Sequence, residues 1–137
     1  MSDEVEKVAA YITGLAKNIQ GQKSHPETCL LFAGGPVIKV KGLGLGGRNQ
    51  HLALLAAQQI KDSSSITTLS AGTDGPTDTT GAVCDSNTFL NVERMGLDPG
   101  RYVQDCNSYY FFKEAGGLIL TGPTQTNVID LMIALIE

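Results

Sequence analysis

The feature that most constrains how this chain can fold is a glycine-dense segment in its first half. Residues 42–47 read Gly-Leu-Gly-Leu-Gly-Gly and run directly into Arg48-Asn49-Gln50. Apolar residues then recur at helical spacing, at Leu52, Leu55, Ala56 and Ile60. Because glycine tolerates backbone conformations that other residues avoid, the segment predicts a loop whose N–H groups lead into the positive end of a helix. That arrangement attracts an anion.

The same glycines satisfy the G-x-G-x-x-G pattern of dinucleotide-binding proteins, through Gly42, Gly44 and Gly47. In that motif an acidic residue about 20 positions further on ends the second strand of a parallel βαβ unit. Asp62 has the required spacing, but it precedes the next predicted strand. The strand before the glycines is also predicted to belong to a hairpin. The pattern therefore favours general anion binding over a dinucleotide site.

Helical and strand patterns alternate along the chain and predict an α/β fold. Residues 4–20 form an amphipathic helical pattern, with Asp3 and Glu6 as a capping box at its start. Strand patterns occupy residues 28–33, 37–41, 65–70 and 118–121, the first two as a hairpin. The apolar run 131–136 is too short to separate strand from helix, and a strand is favoured. Short helices are predicted after Asp85 or Ser86, after Asp98 and after Ser108. We expect a layered α/β/α domain with a mixed sheet, with residues 1–27 as N-terminal helix and link and residues 28–137 as a single globular unit.

Composition and charge exclude several classes of protein. The chain of 137 residues carries a formal net charge of -4 and no Lys/Arg cluster, which argues against a nucleic-acid partner. No leader pattern and no apolar stretch of about 18 residues is present, so we expect a cytoplasmic protein without a membrane partner. The three cysteines lack zinc-site spacing and are expected to be reduced and inert, with Cys29 and Cys84 acting as small apolar residues.

Two further polar loops follow predicted strands, at residues 71–81 and 121–127. Asp74 and Asp78 could hold Mg²⁺ through carboxylate and hydroxyl oxygens, although Asx-turns explain both residues without a metal. Arg48 suits a carboxylate or phosphate ligand, and its alternative role is an internal ion pair with an acid such as Asp74. Loops beyond one set of strand ends can form a ligand crevice. We therefore predict that all three loops converge at one edge of the sheet.

Other candidate groups favour structural roles. His51 falls in the first turn of the second predicted helix, where a solvated position is favoured over catalysis. The aromatic cluster at residues 109–112 is more typical of a core than of a base-stacking surface.

The three polar loops lie within longer sequence motifs. The chain reads Gly-x-Gly-x-Gly-Gly-Arg-Asn-Gln at 42–50, Ser-Ala-Gly-Thr-Asp-Gly at 70–75 and Pro-Thr-Asp-Thr-Thr-Gly-Ala at 76–82. Asn-Ser-Tyr follows at 107–109, and Thr-Gly-Pro-Thr at 121–124. Together and in this order they resemble the MOFRL domain, the C-terminal domain of one type of glycerate kinase also known as hydroxypyruvate reductase. The resemblance covers roughly residue 29 to the end.

The resemblance implies ATP-dependent phosphorylation of glycerate in a cleft shared with a larger Rossmann-like N-terminal domain. It implies ATP and Mg²⁺ as cofactors, bound mainly by that second domain, and assigns no metal ligands to this chain. The implied catalytic residues are Arg48, Asp74 and Asp78. The implied substrate- and phosphate-binding residues are Gly44, Gly46, Gly47, Asn49, Thr73, Thr124 and Asn127. The implied partners are a Rossmann-like kinase domain, or a second copy of the chain, and a small anionic substrate.

The sequence also departs from the family pattern within these motifs. The aspartate loop is shorter by an Asp-Gly pair, and several usual polar residues are replaced. The replacing residues are Pro36 and His51, both for Glu, Asn107 for Asp, Tyr110 for His, Gln125 for Gly and Ile129 for Asn. Because catalytic constellations act as units, the alternative is a diverged, non-catalytic binding or oligomerisation module.

Overall fold

The computed structural model describes residues 5–22, 24, 26–34, 48–72, 81–119 and 130–137. The helices in these ranges are α1 (Val5–Gln20), α2 (Arg48–Gln59), α3 (Ser86–Arg94), α4 (Pro99–Gln104) and α5 (Ser108–Ala115). The strands are β1 (Thr28–Gly34), β2 (Ile66–Gly72), β3 (Gly81–Asp85), β4 (Leu118–Ile119) and β5 (Asp130–Ile136). The predicted strand at 37–41, and with it the predicted hairpin, lies outside the described residues.

The five described strands form one sheet in the order β1-β5-β2-β3-β4. The C-terminal strand β5 inserts between β1 and β2 and runs antiparallel to both. The pairs β2–β3 and β3–β4 are antiparallel as well. The α/β class is thus confirmed, but the expected mixed sheet is wrong for the described strands, because β5 reverses direction against both of its neighbours.

The helices described here pack on one face of the sheet. The burial of β2 and β5 alternates, and their buried side chains join the core on the side of α1 and α2. The helices α3 and α5 pack against α2 and against each other. The described ranges therefore show one helical layer, where two had been expected, and leave the second face of the sheet outside the core.

The core centres on α2, which lies between α1, the sheet and α5. Its residues from Leu52 to Ala57 are all buried, so this helix is enclosed on every side. In α1 only one stripe is buried, as its periodicity predicts, and it comprises Val5, Val8, Ala9, Ile12, Thr13 and Ala16. Full burial of a side chain such as Leu54 contributes roughly 1.5–3 kcal/mol. Within the described ranges, no helix has the length and apolar character needed to cross a membrane.

Local capping signals in the second half of the chain predict its helices well. Asp85 caps α3 by accepting a hydrogen bond of 2.9 Å from the backbone N–H of Asn87. Asp98 caps α4 in the same way, with Pro99 in the first turn. The helix α5 begins one residue earlier than predicted, because Ser108 is its first residue and Asn107 occupies the cap position.

The strand β3 was not predicted, because its residues follow a turn-forming segment and end in a capping aspartate. Tertiary packing explains why the first residue of β3, Gly81, is a glycine. A Cβ atom at Gly81 would overlap the backbone carbonyl of Ser70 on the neighbouring strand. Glycine is required here by the close approach of β2, and a single sequence gives no signal of that approach.

Candidate functional site

Described residues that flank the three predicted loops lie at one end of the sheet. Asp130, the first residue of β5, pairs with Gly34 on β1 and with Gly72 on β2, and we call this row of three residues the loop end of the sheet. Gly81, which begins β3, lies in the adjacent row, where it pairs with Ala71 of β2 and with Ile119 of β4. The segments 35–47, 73–80 and 120–129 all leave from or return to the loop end.

The helix α2 begins at the loop end, and a buried hydrogen bond holds it there. The hydroxyl of Ser70 donates to Oδ1 of Asn49 over 2.9 Å. Asn49 is the second residue of α2, and Ser70 lies two residues before Gly72. Because Oδ1 accepts this bond, the Nδ2 donors of Asn49 take no part in it. The first turn of α2 also carries backbone N–H groups without partners inside the helix.

Two further polar side chains are buried near this point. Gln50 is 4% exposed, and its Oε1 has no hydrogen-bond partner among the described residues. Asp130 is also 4% exposed and lies on the helix-facing side of β5, as Met132 does. A buried polar group costs free energy unless it is satisfied, so Oε1 of Gln50 marks a candidate functional position at the start of α2. Asp130 is not among the site residues that the sequence predicts. Its only local signal is its place directly before the apolar run 131–136.

The position of His51 differs from the sequence-based expectation. His51 is 3% exposed, and its Nε2 lies 3.9 Å from Sγ of Cys106. The expected solvated position is therefore wrong, because α4 and α5 pack against α2. Phe111 and Phe112 of α5 are buried as predicted for the aromatic cluster.

The two remaining cysteines occupy opposite environments. Cys84 is buried, and burial raises the pKa of its thiol to about 12, although the hydroxyl of Thr68 at 3.0 Å acts in the opposite direction. Its predicted inertness is consistent with this environment. Cys29 is exposed, so its predicted role as a buried apolar residue is wrong. It lies on the sheet face that the helices leave uncovered.

Most residues proposed for the site lie outside the described ranges. These are Gly44, Gly46, Gly47, Thr73, Asp74, Asp78, Thr124 and Asn127. The backbone of Arg48 begins α2, whereas its side chain is not among those described. In the described part of the chain, no group of three His, Cys, Asp or Glu residues is arranged to hold a metal ion. The convergence of the three loops, and the reach of Arg48 to Asp74, Asp78 or Thr124, stay predictions.

The fold defines this protein as an α/β domain. At one end of its sheet, the domain holds the N-terminus of a helix and buries polar side chains. The chain belongs to the MOFRL family, which it matches over residues 28–130. The resemblance read from the loop motifs is thus confirmed.

Several relatives of this chain are named as glycerate kinases. The chain is 41% identical to D-glycerate 2-kinase from Thermotoga maritima, over 97% of this chain and 33% of that protein. It is 33% identical to glycerate 2-kinase from Pyrococcus horikoshii, over 99% and 32%. It also superposes on the crystal structure of the Thermotoga maritima glycerate kinase with a TM-score of 0.94 and 39% identity, covering 100% of this chain and 34% of that one. The chain spans about a third of the length of the curated relatives it matches.

Proposed function

We propose that this chain supplies the anion-binding side of a cleft in which glycerate is phosphorylated. The observation that carries the proposal is the Ser70–Asn49 hydrogen bond at the loop end. This bond holds the side-chain amide of Asn49 and the N-terminus of α2 close to the loop end, directly after the glycine-dense segment 42–47 in the chain. Both are donors suited to a phosphate or carboxylate oxygen.

Phosphoryl transfer requires positioning and neutralisation of spread negative charge more than covalent chemistry. The first turn of α2 and Asn49 supply fixed neutral donors on this chain. We assign further phosphate and substrate contacts to residues of the three loops, namely Gly44, Gly46, Gly47, Thr73, Thr124 and Asn127. Arg48, Asp74 and Asp78 are the proposed catalytic residues, with Arg48 as the cation that opposes the transferred charge.

The described residues of this chain fit an anion better than a cation. The donors at the start of α2 suit the phosphates of ATP, whereas no described carboxylate cluster suits Mg²⁺. We assign Mg²⁺, which when bound would neutralise phosphate charge, to residues outside this chain, as the family resemblance implies. The remaining contacts to ATP are assigned to a second body, which corresponds to the part of the glycerate kinases that this chain does not match.

The proposal is tested in a chimera of the Thermotoga maritima enzyme whose matching third is replaced by this chain. We expect ATP-dependent phosphorylation of D-glycerate by the chimera and none by the 137-residue chain alone, because one side of the cleft is then missing. Asn49→Ala is expected to lower kcat/KM of the chimera by about 10²-fold. Asn87→Ala is the matched control, because Asn87 is the second residue of α3 and is exposed.

A folded chimera without kinase activity would contradict the proposal. So would equal loss of activity in the Asn49→Ala and Asn87→Ala variants, since that would assign no particular role to the start of α2.

A further inference from the structure

The face of the sheet opposite the helices carries a continuous apolar surface. Its middle row joins Leu31, Ile133, Leu69 and Val83 across β1, β5, β2 and β3. Toward the loop end the next row consists of Ala33, Leu131, Ala71 and Gly81. The row at the far end consists of Cys29, Leu135, Thr67 and Asp85. We call these three rows the outer face. Its single charged side chain, Asp85, lies at a corner and caps α3.

Part of the outer face is exposed in this chain, and its middle-row residues Ile133, Leu69 and Val83 are half-buried. Leu31 is 65% exposed and Leu135 is 44% exposed, and no residue of the middle row belongs to the buried core. Antiparallel sheets that face water on one side normally alternate apolar and polar residues. Here both faces of β5 are apolar, because Met132, Ala134 and Ile136 join the core while Leu131, Ile133 and Leu135 form the outer face. A contiguous apolar patch of this kind marks an interaction surface.

The size of the outer face indicates what covers it. Strands lie about 4.8 Å apart and rise about 3.4 Å per residue, so four strands of five residues span roughly 320 Å². The three rows alone are smaller than the roughly 800 Å² that each partner buries in a stable interface, so an occupant that forms such an interface also contacts residues around them. The glycerate kinase relatives contain a candidate for this occupant, since about two-thirds of their length has no counterpart in this chain.

We propose that the outer face docks an apolar surface of this second body, the polypeptide that forms the other two-thirds of the glycerate kinases. The small residues Ala33, Ala71 and Gly81 lie between the middle row and the loop end. They allow a close approach, so one body can cover the outer face and reach the loop end as well. The identity of the partner rests on the proposed function, whereas the docking surface rests on the exposed apolar rows.

The test uses the chimera with the Thermotoga maritima enzyme and thermal unfolding, which does not depend on catalysis. The chimera is expected to unfold in one transition. Leu31→Glu places a charge in the docking surface and should lower that transition by about 5 °C or more, or split it in two. Leu135→Glu should act in the same way. The control is Leu97→Glu, because Leu97 is 38% exposed and lies between α3 and α4, off the outer face.

The isolated chain shows whether the variants still fold. Leu31→Glu and Leu97→Glu should each leave its melting temperature unchanged within about 2 °C, because both side chains are exposed. Three results would overturn the proposal. They are an unsubstituted chimera that unfolds in two transitions, a Leu31→Glu chimera that unfolds like the Leu97→Glu control, and an isolated chain that forms a dimer which Leu31→Glu dissociates.

Failure of the docking surface and failure of the proposed function give different results. An Asn49→Ala chimera that keeps both its single transition and its full activity refutes the catalytic role of the α2 terminus and leaves the docking surface intact. A Leu31→Glu chimera that keeps its single transition refutes the docking surface, whatever its kinase activity.

Discussion

The hydroxyl of Ser70 and Oδ1 of Asn49 lie 2.9 Å apart in the interior of the protein, and both residues are at most 9% exposed. This bond joins β2, two residues before the end of the strand, to the first turn of α2. It orients the side-chain amide of Asn49 and holds the helix N-terminus at the loop end. A structural hydrogen bond and a candidate anion site thus share one residue.

The coupling between these two residues should be measurable in the free energy of unfolding. Ser70→Ala leaves a buried acceptor without its donor and should destabilise the chain by about 1–3 kcal/mol. Asn49→Ala should cost a similar amount, and the double variant should cost less than the sum by about 0.5–3 kcal/mol. Urea unfolding of the four proteins in the cycle gives this coupling. Additive effects would show that the bond contributes nothing.

Inorganic phosphate should stabilise the isolated chain if the α2 terminus and the glycine loop bind anions. A ligand at ten times its Kd adds about 1.4 kcal/mol, which raises the melting temperature by several degrees. Asn49→Ala should reduce this rise, and the exposed Asn87→Ala control should keep it. The measurement is thermal unfolding with and without millimolar phosphate at constant ionic strength. An equal response of all three proteins would argue against this site.

Two glycines should respond to alanine in opposite directions. Gly14 lies in α1, and a Cβ there meets no atom within 4 Å, so Gly14→Ala should stabilise the chain by about 0.5–1 kcal/mol. Gly81→Ala would drive a methyl group into the backbone of Ser70 and should destabilise it by more than about 2 kcal/mol. Denaturant midpoints compare the two variants directly. A neutral Gly81→Ala would disprove the close approach of β2 and β3.

Cys84 should make stability depend on alkaline pH. Burial raises the pKa of its thiol from 9.0 to about 12, so between these values the unfolded chain loses the proton while the folded chain keeps it. The contribution of Cys84 is therefore complete below pH 9 and should fall by about 1.4 kcal/mol per pH unit above it. Cys84→Ala should remove this component. Urea unfolding of both proteins between pH 8 and 10.5 isolates it, and parallel pH profiles would contradict the assignment.

Much of the local structure could be predicted because its signals are short-range. Asp85 and Asp98 cap helices through hydrogen bonds to residues two positions on, and the apolar spacing of α1 matches its buried stripe. The glycine segment correctly predicts the start of α2 at Arg48. Asn49 is the predicted site residue whose placement at the loop end the structure describes.

The sequence by itself determined where helices begin and end and that glycine-rich polar segments separate them, because capping, helical spacing and turn chemistry act over a few residues. Only the tertiary structure decided that β5 inserts between β1 and β2, which brings Asp130 between Gly34 and Gly72. It likewise decided that His51 is buried beside Cys106 and that Gly81 must lack a side chain. Strand order and burial depend on contacts between residues far apart in the chain, which local patterns do not encode.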